Sequence, residues 1–191
     1  MGLRDLFSRR GKDEVVGAKI LIASLDSKFV EWSNADSNCY AQFYRPPTVV
    51  VFEDVRALIE TTAKGYDVVH LFCDVSPDGS VVDGRGNRTA GAILVQTCCD
   101  PDVTLLWVAS ENKPEGYIKG FKAARLNLVM TIDRKGSRFA PFLEKLLSKM
   151  SAGETMPVAW ASISPQSPND PRRQDCPGCI FAAGRGGIKL R

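Results

Sequence analysis

The sequence predicts an α/β domain built on a mainly parallel sheet, and three observations support this fold class. Short apolar runs of strand length recur along the chain, for example AKILIAS at 18–24 and TLLWVAS at 104–110. These runs are apolar throughout, as in strands that are covered on both faces. They also alternate with segments of helical spacing, which is the order expected of a parallel sheet with connecting helices.

Length and composition indicate a single domain. The chain has 191 residues, of which 44% are hydrophobic and 25% charged, values typical of globular proteins. With 25 basic and 22 acidic residues, the net charge of +3 is too small to indicate a nucleic-acid partner. No apolar run reaches the roughly 20 residues that a transmembrane helix needs. We therefore expect a loose, charged N-terminal tail over 1–15 and one domain over 16–191.

The cysteines and the first residues bear on the cellular compartment. Six cysteines in a chain of this length do not make a disulfide-dense scaffold, and several lie in apolar runs, where a free thiol packs as a small hydrophobic group. The first residues lack the apolar stretch of a secretory signal. These features predict a reduced, cytoplasmic protein.

The first part of the chain is predicted to form three strands and two helices. The strands are 18–24, 48–53 and 67–74, which are apolar and rich in β-branched residues. Residues 27–43 carry a loose helical stripe that a Pro-Pro pair stops. Residues 54–65 form the second helix, because three apolar residues share one face and a glycine follows at a C′ position.

The remaining elements are predicted from turn signals and apolar periodicity. The turn-rich stretch 75–90 fits two short strands around a turn. Strands are expected at 104–110, 128–133 and 179–184, and helices at 91–99, 114–127, 137–153 and 154–164. Ser137 and Thr155 are the expected N-caps of the last two helices, Pro157 falls in the first turn of the second, and Gly153 suits the end of the first.

Four stretches, taken in their order and spacing, resemble the caspase–separase fold, and most of all the bacterial CHAT domains. YDVVHLFCD (66–74) is similar to the family's strand that ends in the catalytic histidine, and TLLWVASEN (104–112) to its strand that ends before the nucleophilic cysteine. The stretches 137–163 and PGCIFAAGRGG (177–187) resemble the family's last helices and final strand. The resemblance implies a three-layer α/β/α sandwich around a roughly six-stranded, mainly parallel sheet over 16–190.

The resemblance also assigns the two catalytic positions, and neither residue matches. The family's histidine falls on Asp74, its following glycine on Val75, and its cysteine on Ser110. A serine hydroxyl needs a stronger base than a thiol does, and a lone aspartate is a poor substitute for histidine. The resemblance therefore implies a pseudoprotease that acts as a protein-binding or regulatory subunit, in the family's context of a bacterial defence or signalling complex.

Two alternative functions stay open. One is an active cysteine or serine peptidase with a relocated dyad, in which His70, the only histidine, acts as the base. The candidate nucleophiles are then Cys73, Cys98, Cys99 and Ser110. His70 and Asp74 share one face of their strand while Cys73 points to the other, which argues against a His70–Cys73 pair and favours a core histidine hydrogen-bonded to a neighbour. The second alternative, a small-molecule or nucleotide-binding α/β domain, is weakened by the lack of a phosphate-loop motif.

Basic residues follow several predicted strands, at the edge where ligands bind in open α/β sheets. They predict a rim that grips an anion or an acidic peptide, although solvated loops explain the same residues. The expected binding residues are Arg85, Arg88, Glu111, Asn112, Arg134 and Arg138. Cys176 and Cys179 form a C-x-x-C pair, but no second pair of ligands suits a zinc site. We therefore expect neither a metal nor a cofactor.

Overall fold

The computed structural model describes residues 14–15, 18–62, 64–99, 103–110, 127–183 and 188–190. The strands of the described residues are β1 (Glu14–Val15), β2 (Ile20–Ser24), β3 (Thr48–Val51), β4 (Val68–Phe72), β5 (Asp74–Val75), β6 (Ser80–Val82), β7 (Arg88–Ala90), β8 (Leu105–Ala109), β9 (Asn127–Asp133), β10 (Gly178–Ala183) and β11 (Lys189–Leu190). The α-helices are α1 (Val30–Ala41), α2 (Val55–Thr62), α3 (Gly91–Cys99), α4 (Phe139–Ser151) and α5 (Met156–Ile163).

The main sheet has six strands in the order β10-β9-β8-β4-β2-β3. All neighbouring strands are parallel except β10, which runs antiparallel to β9. Helices cover both faces, so the predicted α/β class with a mainly parallel, six-stranded sheet in a three-layer arrangement is confirmed. None of the helices within the described residues is both long and apolar enough to cross a membrane.

Each face of the sheet carries its own hydrophobic core. One core packs side chains such as Ile22 and Trp107 against α1, α4 and α5. The other packs side chains such as Leu21 and Val108 against α2 and α3. Successive residues of a strand point to opposite faces, so a strand buried on both sides feeds both cores. This explains why the strands read as unbroken apolar runs in the sequence.

Two small sheets differ from the predictions. The stretch 75–90 forms, with Asp74, three antiparallel strands, β5, β6 and β7, instead of two. The additional strand is β5, which begins at Asp74, two residues after the end of β4. At the chain ends, β1 pairs in parallel with β11. The expectation of a loose tail is therefore wrong for Glu14 and Val15, and residues 1–13 lie outside the described part.

Most helices agree with the predictions in position but differ at their ends. The helix predicted over 137–153 begins at Phe139, because a left-handed turn at Lys135 and Gly136 is followed by one 3-10 turn that includes Ser137. Ser137 is therefore not its N-cap. Gly153 has a φ of 99°, as the prediction of a glycine at this end requires. Thr155 is the N-cap of α5 by position, but its side chain makes no capping hydrogen bond.

Two further helices were predicted with different lengths. The helix expected over 54–65 ends at Thr62, and the stripe over 27–43 divides into a 3-10 turn at Ser27–Phe29 and α1. The helix expected over 114–127 falls almost entirely outside the described residues, and its last residue begins β9.

Candidate functional site

The strands β4 and β8 lie side by side in the centre of the sheet. They pair in parallel with Phe72 opposite Ala109, and the Cys73 N–H donates a hydrogen bond to the Ala109 carbonyl at 3.3 Å. Residues 74 and 110 therefore follow neighbouring strands at the same carboxyl edge. This is the edge where open α/β sheets build their sites.

Asp74 is engaged by a cation at this edge. Its backbone begins β5 opposite Val82, and its carboxylate accepts a hydrogen bond from the Lys28 ammonium. The Lys28 Nζ also lies 3.8 Å from an Asp26 carboxylate oxygen. The Asp74 side chain remains 40% exposed. The Asp74 carboxylate is thus engaged by Lys28 and ties the start of β5 to the loop before α1.

Ser110 is fully buried, with 0% of its surface exposed. Its backbone N–H donates to the carbonyl of Thr131, which is also buried, at 3.4 Å. A nucleophile must reach a substrate carbonyl, and this serine presents no surface to one. Glu111 and Asn112, the expected binding residues that follow it, lie outside the described residues.

His70 is enclosed by aromatic rings in the core beneath α1 and α4. Its ring stacks on Trp107 at 4.5 Å and on Phe72 at 4.9 Å between centroids, and Tyr40 presents an edge at 6.0 Å. Neither ring nitrogen makes a hydrogen bond with a described residue, and Nε2 lies 3.7 Å from a carboxylate oxygen of Asp36. The prediction of a core position is confirmed, whereas the predicted hydrogen bond to a neighbour is replaced by stacking.

Burial, reinforced by the positive charge of Arg134, lowers the pKa of His70 well below its ordinary value of 6.5. The imidazole is therefore neutral at physiological pH. With no exposed surface and no hydrogen-bond donor to its nitrogens among the described residues, this imidazole has no nucleophile from which to take a proton.

The candidate thiols lie on the opposite side of the sheet from His70. Cys73, Cys98 and Cys99 are buried in the core beneath α2 and α3. Burial raises the pKa of Cys73, and it raises the pKa of Cys98 to about 12. Because the thiolate is the reactive form, both thiols are inert at neutral pH. None of these three cysteines lies beside His70, as the relocated dyad requires.

Arg134 does not belong to a solvent-facing rim, so this expectation from the sequence is wrong. The side chain is 1% exposed, and its guanidinium donates to Asp36 at 2.6 Å and to the Gly136 carbonyl at 2.5 Å. Its Cζ atom lies 5.1 Å from the Trp32 ring centroid and 4.6 Å from that of Phe139, within the range of cation–π contact. Burial raises the pKa of Asp36 to about 6, and the Arg134 charge opposes that rise.

The other arginines of the predicted rim are exposed and paired. Arg85 donates to Glu53, and Arg88 lies 3.7 Å from a carboxylate oxygen of Asp78. The loop that carries Arg85 is ordered by Asp83, whose carboxylate accepts backbone N–H bonds from residues 85 and 87 at 3.0 and 2.9 Å. Both arginines therefore already have a carboxylate partner within the described residues, and the loop is ordered by Asp83.

Arg138, the last basic residue of the predicted rim, borders a groove that the sequence did not predict. The α4 groove, with a volume of about 440 Å³, lies between α4, α5 and the loop before β10. Arg138, Phe142, Lys145, Ile163 and Cys176 line it. The only sequence signal is the spacing of residues 138, 142 and 145, which puts two cations and an aromatic ring on one side of a helix.

Cys176 and Cys179 are partly buried free thiols. Burial raises the pKa of both, that of Cys179 to about 12, and the Cys176 Sγ lies 3.8 Å from the Ser164 hydroxyl. Among the described residues, no group of three or more histidine, cysteine or acidic side chains is placed to hold a metal ion. The pair thus lacks the low pKa of a redox motif and, in the part of the chain that the structure describes, further ligands for zinc.

Comparison with models of known protein families finds no match for this chain, and no curated protein matches it either.

Proposed function

We propose that the chain is a caspase-like domain that has lost the family's catalytic pair and acts as a protein-binding or regulatory subunit. The observation that carries this proposal is the state of the two positions at the carboxyl edge. Ser110 is fully buried, and Asp74 is occupied by Lys28. Ser110 therefore cannot reach a substrate, and Asp74 is not placed to activate it. The six-stranded sheet that positions the two residues is nevertheless present.

The remaining candidates for chemistry support the same proposal. His70 is stacked between Phe72 and Trp107 with no exposed surface, and Cys73 and Cys98 lie across the sheet from it with raised pKa values. A sheet of this kind offers grooves between its covering helices, and one such groove is open at α4. A binding role can therefore use the α4 groove, whereas catalysis would require a histidine beside a nucleophile, and the sheet separates His70 from the core thiols.

Electrophilic probes test the absence of a peptidase site. A fluorophosphonate and a peptidyl acyloxymethyl ketone are incubated with the native chain, and adducts are mapped by mass spectrometry. We expect no adduct on Ser110, Cys73, Cys98 or Cys99. An adduct on one of these residues that disappears in a folded His70→Phe variant would mean that a dyad exists and the proposal is wrong.

A photo-crosslinker tests the binding role directly. Benzoylphenylalanine at Ser162, which lines the α4 groove, is compared with the same group at Arg56, which is exposed on α2 on the other face of the sheet. In cells of the source organism we expect a discrete, saturable adduct from position 162 and none from position 56. Equal, non-saturable labelling at both positions would argue against a specific partner surface.

A further inference from the structure

The α4 groove combines an apolar floor with unpaired positive charge. Pro141, Phe142 and Ile163 form apolar lining, and Phe142 is only 7% exposed. A second depression shares Pro141, Lys145 and Ile163 with the groove and continues towards Phe43. The two together form one elongated surface along α4, suited to a chain segment more than to a compact ligand.

The basic residues of this surface fall into two groups, and two acidic residues, Asp175 and Glu144, also line it. Arg172 is bound to Asp170, with its Nη2 atom 2.5 Å from a carboxylate oxygen, and Lys149 lies 3.1 Å from Glu154. Arg138 and Lys145, by contrast, make no ion pair with any described residue. Within the described residues, two exposed cations beside an apolar floor therefore lack the partner anion that Arg172 and Lys149 have.

From these contacts we infer that the α4 groove binds an extended acidic segment of a partner protein, with two carboxylates flanking an apolar residue. The inference rests on the proposed binding function and names the chemistry of the partner. Arg138 and Lys145 are two helical turns apart, a separation of about 10 Å along the axis at 1.5 Å per residue. In a polyproline II segment, which has three residues per turn and a rise of 3.1 Å per residue, residues i and i+3 lie on the same face about 9 Å apart, which matches the two cations.

Charge also identifies the occupant as a partner and not as another part of this chain. The segments 1–13 and 111–126, which lie outside the described residues, each contain four basic and two acidic residues, for a net charge of 4 − 2 = +2. The segment 184–187 adds one arginine and no acid. The segment 100–102 carries two aspartates, but it joins Cys99 to Val103 in the core beneath α2 and α3, on the other face of the sheet from the α4 groove. The other three segments are basic and do not complement two free cations.

The test uses the full chain and a fluorescein-labelled probe peptide in which two glutamates, three positions apart, flank a leucine. Binding is followed by fluorescence anisotropy, with a peptide carrying glutamine at both positions as control. We expect the glutamate peptide to bind, its affinity to fall with added salt, and the glutamine peptide to bind much more weakly. Inorganic phosphate should not displace the probe, since a single phosphate does not span both cations.

Matched variants locate the binding site. Arg138→Gln with Lys145→Gln should weaken probe binding about tenfold, as expected for the loss of two ion pairs that close over an apolar floor. Arg56→Gln with Lys64→Gln removes the same charge at exposed positions outside the groove and should leave binding unchanged. Asp175→Asn removes an acidic group from the groove itself and should strengthen binding.

The inference is overturned if the glutamate peptide does not bind, if both peptides bind equally, or if both charge-matched double variants lose the same affinity. Circular dichroism establishes that each variant is folded before it is compared. Failure here is distinct from failure of the proposed function. If the glutamate peptide does not bind and the electrophilic reagents form no adduct, only the inference about the α4 groove is wrong. An electrophile adduct on Ser110 or on a core thiol would instead contradict the pseudoprotease proposal.

Discussion

At the scale of single residues, His70 shows how burial turns a potential base into a packing group. A histidine in a strand next to a carboxyl edge suggests chemistry, but its ring lies between Phe72 and Trp107 with no exposed surface. Neither ring nitrogen makes a hydrogen bond with a described residue, and burying an unpaired polar atom costs free energy of folding. The stacking of the imidazole on its aromatic neighbours offsets this cost. The same burial sets the charge state of the imidazole.

The lowered pKa of His70 predicts a pH dependence of stability. The unfolded chain protonates this imidazole near pH 6.5 while the folded chain does not, so its contribution is complete above pH 6.5 and is lost as the pH falls. Asp36 acts in the opposite sense, because its pKa rises from 3.8 to about 6 and its contribution is lost as the pH rises through that range.

We therefore expect wild-type protein to lose more free energy of unfolding between pH 7 and pH 5 than a His70→Phe variant, which lacks the imidazole and keeps the opposing Asp36 effect. Urea denaturation at a series of pH values measures the difference. Parallel pH profiles for the two proteins would show that His70 is not held neutral by the fold.

At the scale of elements, the Asp36–Arg134 pair joins helix α1 to the loop after β9. The two residues are 98 positions apart in sequence, and both are buried. The guanidinium also contacts the rings of Trp32, Phe72 and Phe139. A charge pair inside the core thus links two elements that are distant in sequence.

Arg134→Met should destabilise the fold by about 3–5 kcal/mol, because it leaves the Asp36 carboxylate buried without its partner. The double variant Asp36→Leu with Arg134→Met should recover much of this loss, since an apolar pair of similar volume needs no compensation. Denaturant unfolding of both single variants and the double variant measures the coupling. Strictly additive losses would contradict a direct interaction.

The exposed edge strand β3 shows how the sheet ends. Among the described residues β3 is the last strand of the sheet on this side, and its Val49 and Val51 are 37% and 44% exposed. Pro46 and Pro47 precede it and cannot donate to a neighbouring strand. Proline next to an edge strand is a common protection against unwanted pairing.

At the scale of the whole molecule, the thiols report how completely the two cores are closed. Cys39, Cys73, Cys98 and Cys99 are buried, while Cys176 and Cys179 are partly exposed. Burial raises the pKa of Cys39 to about 11, with the nearby Asp36 carboxylate adding to the rise. The fold should therefore protect the first four thiols and leave the last two to react.

In the native protein, a disulfide reagent such as Ellman's should modify at most two of the six cysteines quickly, and all six after denaturation. Cys176→Ser should remove the fastest phase, because Cys176 lines the α4 groove. Absorbance of the released thiolate measures the count. Rapid modification of three or more thiols in folded protein would contradict the closed cores.

The sequence by itself determined the order and kind of most elements and the α/β class. That information is local: a strand covered on both faces must be apolar at every position, and a helix at every third or fourth. Local patterns did not make residues 74 and 110 neighbours: at the level of sequence only the family resemblance implied it, and the parallel pairing of β4 with β8 shows it.

Only the tertiary structure decided which polar residues face solvent. Arg134 reads as a surface residue beside Lys135, yet a carboxylate 98 positions away draws it into the core. His70 stacks on Trp107, a residue of the next strand, and the α4 groove exists only where two helices and a distant loop meet. Such contacts depend on which chain segments become neighbours, and local periodicity carries no information about the distant partner of a charge or a ring.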